Sequence, residues 1–308
     1  MITIFYSRAR ERELLKLEQP RVGSWVHVVA PTEEELEQLV SQYGLDRDTL
    51  NDAIDIYEAP RIEVEDGAVY IFTRYCYPEG REIASEPLLI IHTADHLFTI
   101  SRIDSNVLHR LTENELEFVT TQKTKTLLHI LSEINNSYKQ PLRSAAKRIL
   151  QLRGQMRQSK LSTKEFLGII ELEEDLNEFL SALQPQGLLY GELIQGRYLR
   201  LYEDDRDIVE DLEHSTAELV EQLRGRLRTL GNMREAFDAI ATNSLNSIFK
   251  RLTSISIFMS IPTIMAGFWG VNVLVPFQHS TFAFLYLAGI TLAIIAVAVW
   301  YFRRKNWL

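Results

Sequence analysis

The C-terminal segment of the chain contains no acidic residue. Between Lys250 and Leu308 there is no Asp or Glu, and five basic residues flank two uncharged stretches, 252–271 and 281–302. Each stretch is long enough to cross a bilayer core of roughly 30 Å as a helix. The loop that connects them, about 273–280, has no Lys or Arg. By the positive-inside rule, both ends of this two-span segment are predicted to face the cytosol.

The rest of the chain is acidic. Removing those 5 basic residues from the 33 Lys and Arg leaves 28 basic against 42 acidic residues in 1–249, a net charge of −14. An acidic body disfavours nucleic acid as a partner and is compatible with cations. The single cysteine, Cys76, and the lack of a signal-peptide pattern predict a body in the reducing cytosol. The sequence therefore predicts a multi-pass protein of the inner or plasma membrane, with cytosolic N- and C-termini.

The first span differs from the second because small and polar residues recur along it at helical spacing. The steps between them are 7, 3, 4, 3, 4 and 3, and the residues are Asn246, Thr253, Ser256, Ser260, Thr263, Gly267 and Gly270. Such a face lets membrane helices pack closely, or it lines a water-filled pore. Both interpretations are open at this point. Because two helices cannot enclose a pore, the second one requires an oligomer.

Residues 1–120 are predicted to form a cytosolic, layered α/β domain. Strand patterns occur in MITIFYS and SWVHVVA, and Thr32 and Glu35 form a capping box that opens a helix. Hairpins are expected around Asp66-Gly67 and at Thr93–Asp95. Alternating strand and helix patterns favour layers of both types.

The remaining regions are predicted to be helical. Residues 121–204 form a cytosolic helical hairpin region, in which Pro141 interrupts the first helix and QPQG at 184–187 ends the last. Residues 205–251 form a stalk helix that continues through the first span to about residue 270, a length of roughly 100 Å. Residues 252–308 form the two-helix transmembrane domain. The fold class is thus an α+β membrane protein, and a helix this long favours a symmetric bundle of subunits.

No catalytic constellation is present in the sequence. There is no phosphate-binding glycine loop and no Ser/His/Asp order typical of hydrolases, so neither an enzyme nor an organic cofactor is predicted. His92 and His96 are candidates for a zinc pair or for solvated turn residues. The acidic runs at 171–178 and 203–214 are candidates for divalent-cation binding or for solvated helix faces.

The end of the first span carries a family resemblance. Residues 269–272 are Trp-Gly-Val-Asn, a long charged helix precedes them, and a second span and the basic ending RRKNWL follow. This arrangement resembles the CorA family of magnesium and divalent-cation transporters, with Gly-Val-Asn in place of the family's Gly-Met-Asn. The likeness is specific over about 205–308 and only architectural before that.

The resemblance implies a homopentameric funnel whose first spans surround a central pore. It implies a selectivity filter formed by Gly270, Val271 and Asn272. It also implies a pore lining formed by Asn246, Phe249, Leu252, Ser256, Ser260, Thr263 and Gly267. Leu252 would be an apolar constriction, and Asn272 would contact the hydrated ion.

The implied cargo is Mg²⁺, with Co²⁺ or Ni²⁺ as further ions, passing down its electrochemical gradient. The same ion would bind between neighbouring cytosolic domains and close the pore, with Asp211 and Asp95 as candidate ligands. The implied partners are further copies of the chain, the bilayer and divalent cations. Two alternatives stay open: a ZntB-like zinc transporter, and a membrane-anchored scaffold or sensor that transports nothing.

Overall fold

The computed structural model describes residues 1–8, 11–79, 82–113, 115–157, 163–271, 280–305 and 307. The chain divides into two compact units, Met1–Met233 and Arg234–Leu308. The sequence predicts four regions, 1–120, 121–204, 205–251 and 252–308. Division into compact units does not test these boundaries, which stay predictions.

A seven-stranded sheet forms the centre of the first unit. Its strands are β1 (Ile2–Arg8), β2 (Glu11–Leu17), β3 (Trp25–Val29), β4 (Arg61–Glu65), β5 (Ala68–Glu79), β6 (Glu82–His92) and β7 (Leu97–Ser101). The spatial order is β2-β1-β3-β7-β6-β5-β4. Of the described pairs, only β3 and β7 are parallel. The α/β layering is confirmed, and the sheet is mostly antiparallel because short turns join most neighbouring strands.

Two tight turns fix the register of the hairpins. Asp66 and Gly67 have φ angles of 49° and 80°, as a two-residue type I′ turn requires. At the second turn, Thr93 Oγ1 accepts a hydrogen bond from His96 N at 2.9 Å and donates one to His96 O at 3.0 Å. Both predicted hairpins are therefore confirmed.

The described helices are α1 (Glu33–Tyr43), α2 (Arg47–Asp52), α3 (His109–Thr112), α4 (Lys123–Ser137), α5 (Lys139–Arg157), α6 (Thr163–Ile194), α7 (Glu203–Trp269) and α8 (Ala283–Arg304). The predicted capping box opens α1. Thr32 Oγ1 accepts from Glu35 N at 3.2 Å, and Glu35 Oε2 accepts from Thr32 N at 3.0 Å. Gly44, with φ 65°, ends the same helix in the left-handed conformation.

The predicted end of the helical region at QPQG is wrong. Helix α6 continues through Pro185 to Ile194. A proline inside a helix costs about 3 kcal/mol. Tyr190 is fully buried, and the buried amide of Gln186 accepts a hydrogen bond from Thr73 and donates one to Tyr190, so packing and satisfied polar groups after the proline offset this cost. Pro141, by contrast, marks a boundary as predicted, because α4 ends at Ser137 and Pro141 lies in the first turn of α5, where proline is tolerated.

Helices cover both faces of the sheet. Leu36 of α1 packs in a cluster on one face, and Leu131 of α4 packs in a cluster on the other. A third cluster joins α5, α6 and α7 through residues such as Ile149, Leu176 and Leu223. The first part of α7 thus belongs to the core of the first unit.

Helix α7 is a single helix of 67 residues, which confirms the predicted continuity of the stalk with the first span. At 1.5 Å per residue it is roughly 100 Å long. Within the described residues, α7 and α8 are the helices long and apolar enough to cross a membrane. In the second unit, nearly every described residue is at least partly exposed in the single chain.

Candidate functional site

The predicted pore-lining residues are all exposed in the single chain. This holds for Phe249 and Leu252, at 62% and 58% exposure. It also holds for the smaller and polar members of the set, Asn246, Ser256, Ser260, Thr263 and Gly267. No described side chain of the same chain covers this face of α7. We call the face formed by these seven residues and Gly270 the polar stripe.

The opposite face of α7 packs against α8. Residues of reduced exposure recur at steps of four or three along the span: Ser254, Phe258, Ile261, Met265 and Trp269. The rings of Phe258 and Phe302 of α8 lie 5.6 Å apart in an edge-to-face arrangement. Thr291, the one described residue of α8 that is buried, lies on the face that carries Phe302. These residues form the contact between the two spans.

Helical geometry fixes the angle between the two faces. Each residue turns the helix by about 100°, so the polar stripe and the α8-facing residues point in directions that differ by roughly 170°. Ser254 and Ser256 illustrate the difference, because the first is fully buried and the second is exposed. The polar stripe is therefore directed away from the chain's own second span.

Two hydroxyl groups of the polar stripe bond to their own helix. Ser260 Oγ donates to Ile257 O at 2.8 Å, and Thr263 Oγ1 donates to Met259 O at 3.2 Å. Each hydroxyl has one proton and two lone pairs, so the oxygen keeps acceptor capacity after this donation. The stripe consequently presents hydrogen-bond acceptors, which suit water molecules around a cation.

The three predicted filter residues lie at and beyond the end of α7. Gly270 N donates to Ala266 O at 3.0 Å, and Val271 follows at 45% exposure. Gly270 does not have a positive φ, so unusual backbone angles do not explain glycine there. Asn272 lies outside the described residues. Trp269 lies on the α8 side, where its indole N–H has no described partner.

The candidate regulatory ligands lie in the first unit. Asp211 is exposed on α7, and Asp95 is exposed in the turn between β6 and β7. Asp95 also lies near Lys123, whose pKa is lowered by burial and raised in part by this carboxylate. Among the described residues, no group of three or more His, Cys, Asp or Glu side chains is placed to hold a metal ion. A single chain does not bring Asp211 and Asp95 into such a group.

The two histidines of the β6–β7 turn lie on opposite faces of the sheet. His92 is paired with Leu97 across the strands and shares its face. His96 stacks edge-to-face with Tyr43 of α1 and Phe98, with centroids 5.6 Å and 6.0 Å away. A zinc site that uses both side chains is therefore excluded. Burial lowers the pKa of His92 to about 4, with a further contribution from Lys123.

Sequence patterns did not identify the residues that join the two spans. Ser254 and Thr291 bond to Lys250 O and Leu287 O of their own helices, so both hydroxyls are satisfied within a contact that excludes solvent. The spacing of residues 254, 258, 261 and 265 was the available signal. It was obscured because apolar residues also occupy the other sides of the span.

The fold and the site together define a class of protein. An acidic α/β body is linked by one long helix to two membrane spans, and the first span has a polar face that the chain itself leaves uncovered. These are the parts of a membrane transporter.

Comparison with known proteins identifies the family. The family described as CorA-like Mg²⁺ transporter protein matches residues 21–304, and the chain belongs to it. The cobalt/magnesium transport protein CorA of Methanocaldococcus jannaschii is 25% identical over 297 residues, which cover 92% of this chain and 91% of that protein. Members of this family are transporters and not enzymes.

Solved structures agree with this assignment at the level of the fold. The complete structure of the CorA magnesium transporter from Methanocaldococcus jannaschii has a TM-score of 0.87 at 22% identity, over 100% of this chain and 99% of that chain. The full-length CmaX protein has a TM-score of 0.73 at 14% identity, over 97% of both chains. The likeness therefore includes the soluble body as well as the two spans.

Proposed function

We propose that this protein is a pore-forming transporter that passes hydrated divalent cations, Mg²⁺ first, down their electrochemical gradient. The observation that carries the proposal is the direction of the polar stripe. It faces away from α8, and its hydroxyl oxygens keep acceptor capacity. In a bilayer such a face needs a polar neighbour or water, because lipid tails satisfy no hydrogen bond.

Further copies of the chain supply the missing enclosure. Two helices cannot surround a pore, so the polar stripes of several chains would face a common axis. Family resemblance favours five copies, with the soluble bodies in the cytosol and both termini on that side. The basic residues at the two ends of the membrane segment support the same orientation in the inner or plasma membrane.

The chemistry of Mg²⁺ suits a filter that contacts its water shell. Mg²⁺ loses water reluctantly and prefers six oxygen ligands. A ring of Asn272 amides and of backbone carbonyls near Gly270 and Val271 would accept hydrogen bonds from the hydrated ion. Entry of a divalent ion across about 100 mV is favoured by about 4.6 kcal/mol, so transport needs no ATP site. Co²⁺ and Ni²⁺, which also carry hydration shells, are proposed as further cargo.

Ion flux into proteoliposomes tests this proposal. Purified protein should pass Mg²⁺ down a gradient, and Asn272→Ala should abolish the flux while the oligomer persists. Thr229→Ala, a substitution at a partly exposed residue of the first unit, should retain wild-type flux. If the wild-type protein passes none of Mg²⁺, Co²⁺, Ni²⁺ and Zn²⁺, the transport proposal is wrong and the protein is a membrane-anchored scaffold or sensor instead. Flux of Zn²⁺ that depends on a pH gradient, with little Mg²⁺ flux, would establish the zinc alternative instead.

We further propose that intracellular divalent cations close the pore by binding between neighbouring bodies. The body carries a net charge of −14, so neighbouring copies repel one another until a cation binds between them. Asp211 is proposed as one ligand because its carboxylate is exposed on α7 and available to a neighbour. Asp95 is the weaker candidate, because Lys123 lies beside it.

Limited proteolysis tests the regulatory proposal. High Mg²⁺ should protect the wild-type oligomer, and Asp211→Ala should lose most of that protection. Glu213→Ala is the matched control, since Glu213 is an exposed acid two residues later and on another side of the helix. Equal protection of the Asp211→Ala variant and the wild type would remove Asp211 from the regulatory site.

A further inference from the structure

Charge is segregated between helices α5 and α6. Residues 139–164 contain eight basic residues and no acidic one, whereas residues 165–194 contain seven acidic residues and no basic one. In a chain with a net charge of −9, two adjacent blocks of opposite sign are a specific feature. Blocks of like charge often mark interaction surfaces.

The exposed face of α5 is basic and carries an exposed leucine. The buried side of this helix contributes Leu142, Ile149 and Leu152 to the cluster shared by α5, α6 and α7. On the other side, Arg143 and Lys147 are exposed, and Leu150 is 66% exposed. We call the surface formed by residues 143, 147 and 150 the basic face.

The exposed face of α6 has the complementary composition. Leu167 is 52% exposed, and Glu171 and Glu174 are exposed at steps of four and three along the same side of the helix. We call these three residues the acidic face. None of the four charged side chains on the two faces takes part in an ion pair in the described part of the chain.

The two faces match when the helices run antiparallel. Each face spans seven residues along its helix. Antiparallel docking therefore aligns Arg143 with Glu174 and Leu150 with Leu167 at the two ends, and it brings Lys147 within one residue of Glu171, about 1.5 Å along the axis. Parallel docking would place a charge against a leucine at two of the three positions, which is unfavourable.

A cyclic assembly whose axis runs roughly parallel to α5 and α6 presents this antiparallel arrangement between neighbours. Within one chain α5 and α6 run antiparallel, because Tyr138 stacks on Phe179 at 5.2 Å while Arg148 lies beside Gly168. Rotation about an axis roughly parallel to the helices preserves the direction of each helix. The α6 of a neighbouring copy is consequently antiparallel to the α5 it meets, and a contact between two different faces closes into a ring.

We propose that the basic face of α5 docks on the acidic face of α6 of the neighbouring copy in the assembled transporter. The proposal rests on the cyclic homo-oligomer of the proposed function. It assigns a subunit contact to the soluble body, separate from the polar stripe and from Asp211. Because its pairs lie near the surface, the contact is sensitive to ionic strength.

Cross-linking between separately tagged copies tests the contact directly. One full-length copy carries Lys147→Cys, the other carries Glu171→Cys, and a short bis-maleimide is added to the mixed oligomer. Each copy retains only Cys76 besides the new thiol, and burial raises the pKa of Cys76 to about 12, so this buried thiol is inert. Heterodimer should form in several-fold higher yield than in two controls, Lys147→Cys with itself and Ser41→Cys with Glu171→Cys.

Charge reversal provides the second measurement. Reversing the basic face with Arg143→Glu and Lys147→Glu should loosen the oligomer at low salt, as judged by native mass spectrometry. Adding Glu171→Lys and Glu174→Lys in the same chain should restore it, which no general unfolding of α5 would allow. Each variant also retains Leu150 and Leu167, so the apolar contact is constant throughout the series.

The outcomes separate this contact from the transport function. The proposed contact is wrong if cross-linking stays at the level of the controls while flux is that of the wild type. It is also wrong if charge reversal leaves the oligomer intact. Neither result contradicts the transport proposal. Strong cross-linking in a protein without flux would retain the contact and overturn the transport proposal. Loss of binding to anionic lipid vesicles on reversal, with no change in the oligomer, would assign the basic face to lipid and overturn the proposal.

Discussion

The two halves of helix α7 have the same backbone and different surroundings. The first half buries a row of apolar side chains in the core of the first unit: Val209, Leu212, Leu219, Leu223, Leu230 and Met233. Between Arg234 and Trp269, only Ser254 is buried among the described residues. The first half therefore has its packing partners in its own chain, whereas most of the second half is exposed in the single chain.

The difference shows that continuity of a helix says little about what stabilises it. An amphipathic helix buries its apolar stripe against a core, whereas a helix that is apolar over most of its circumference needs a membrane or an enclosing protein. Helix α7 has the first kind of surface before Arg234 and the second kind in its membrane span, and the helix is continuous between them. Substitutions of one residue type in the two halves should consequently affect different properties.

The largest expected effect comes from two leucines. Leu223 is fully buried in the first half, and Leu252 is 58% exposed in the second. Leu223→Ala should lower the free energy of unfolding by about 2–5 kcal/mol, because it removes a buried side chain and leaves a cavity. Leu252→Ala should leave that free energy nearly unchanged and should raise Mg²⁺ flux, since it removes the proposed apolar constriction.

Chemical denaturation of the full-length protein and flux in proteoliposomes measure the two properties. A similar loss of folding stability in both variants would show that Leu252 has packing partners that the single chain does not contain. Unchanged flux in Leu252→Ala would remove this residue from the proposed constriction.

The next effect separates the two faces within the second half. Ser256 belongs to the polar stripe, and Ser254 faces α8. Ser256→Leu should lower flux about tenfold, equivalent to about 1.4 kcal/mol in the barrier, while the thermal unfolding midpoint stays constant. Ser254→Leu should instead lower the midpoint, because a larger side chain overpacks the contact between the spans. Equal effects of the two substitutions on flux would contradict the assignment of the faces.

Sequence patterns predicted those features that depend on local chemistry. The capping box at Thr32 and the Asp66-Gly67 turn are determined by residues close in sequence, and both are confirmed. The helix end at 184–187 failed because burial of Gln186 and Tyr190, set by distant packing, outweighs the local effect of Pro185. The direction of the polar stripe relative to α8 was inaccessible from the sequence, since both spans are apolar enough to conceal their contact residues.

The ligands of the proposed regulatory site were inaccessible for a further reason. Asp211 and Asp95 are exposed in a single chain, and a site between copies is completed only by a neighbour. No pattern within one sequence shows which surface meets which. The small and polar residues of the polar stripe were easier to recognise because they recur on a single helix, where spacing alone places them on one face.

The smallest expected effect is a pH dependence confined to the first unit. Burial is the largest cause of the lowered pKa of His27 and His92, each about 4 in the folded protein. The unfolded chain therefore binds protons at a pH where the folded chain does not. The stability of the first unit should fall as pH decreases from about 6.5 towards 4, by about 1 kcal/mol per histidine at pH 5.5.

Hydrogen exchange measured peptide by peptide tests this prediction. Peptides of the first unit should lose protection on acidification from pH 7.5 to 5.5, after correction for the intrinsic exchange rate, whereas peptides of α7 beyond Arg234 should not. His92→Gln should flatten the dependence, and slopes equal to the wild type would show that His92 does not contribute to it.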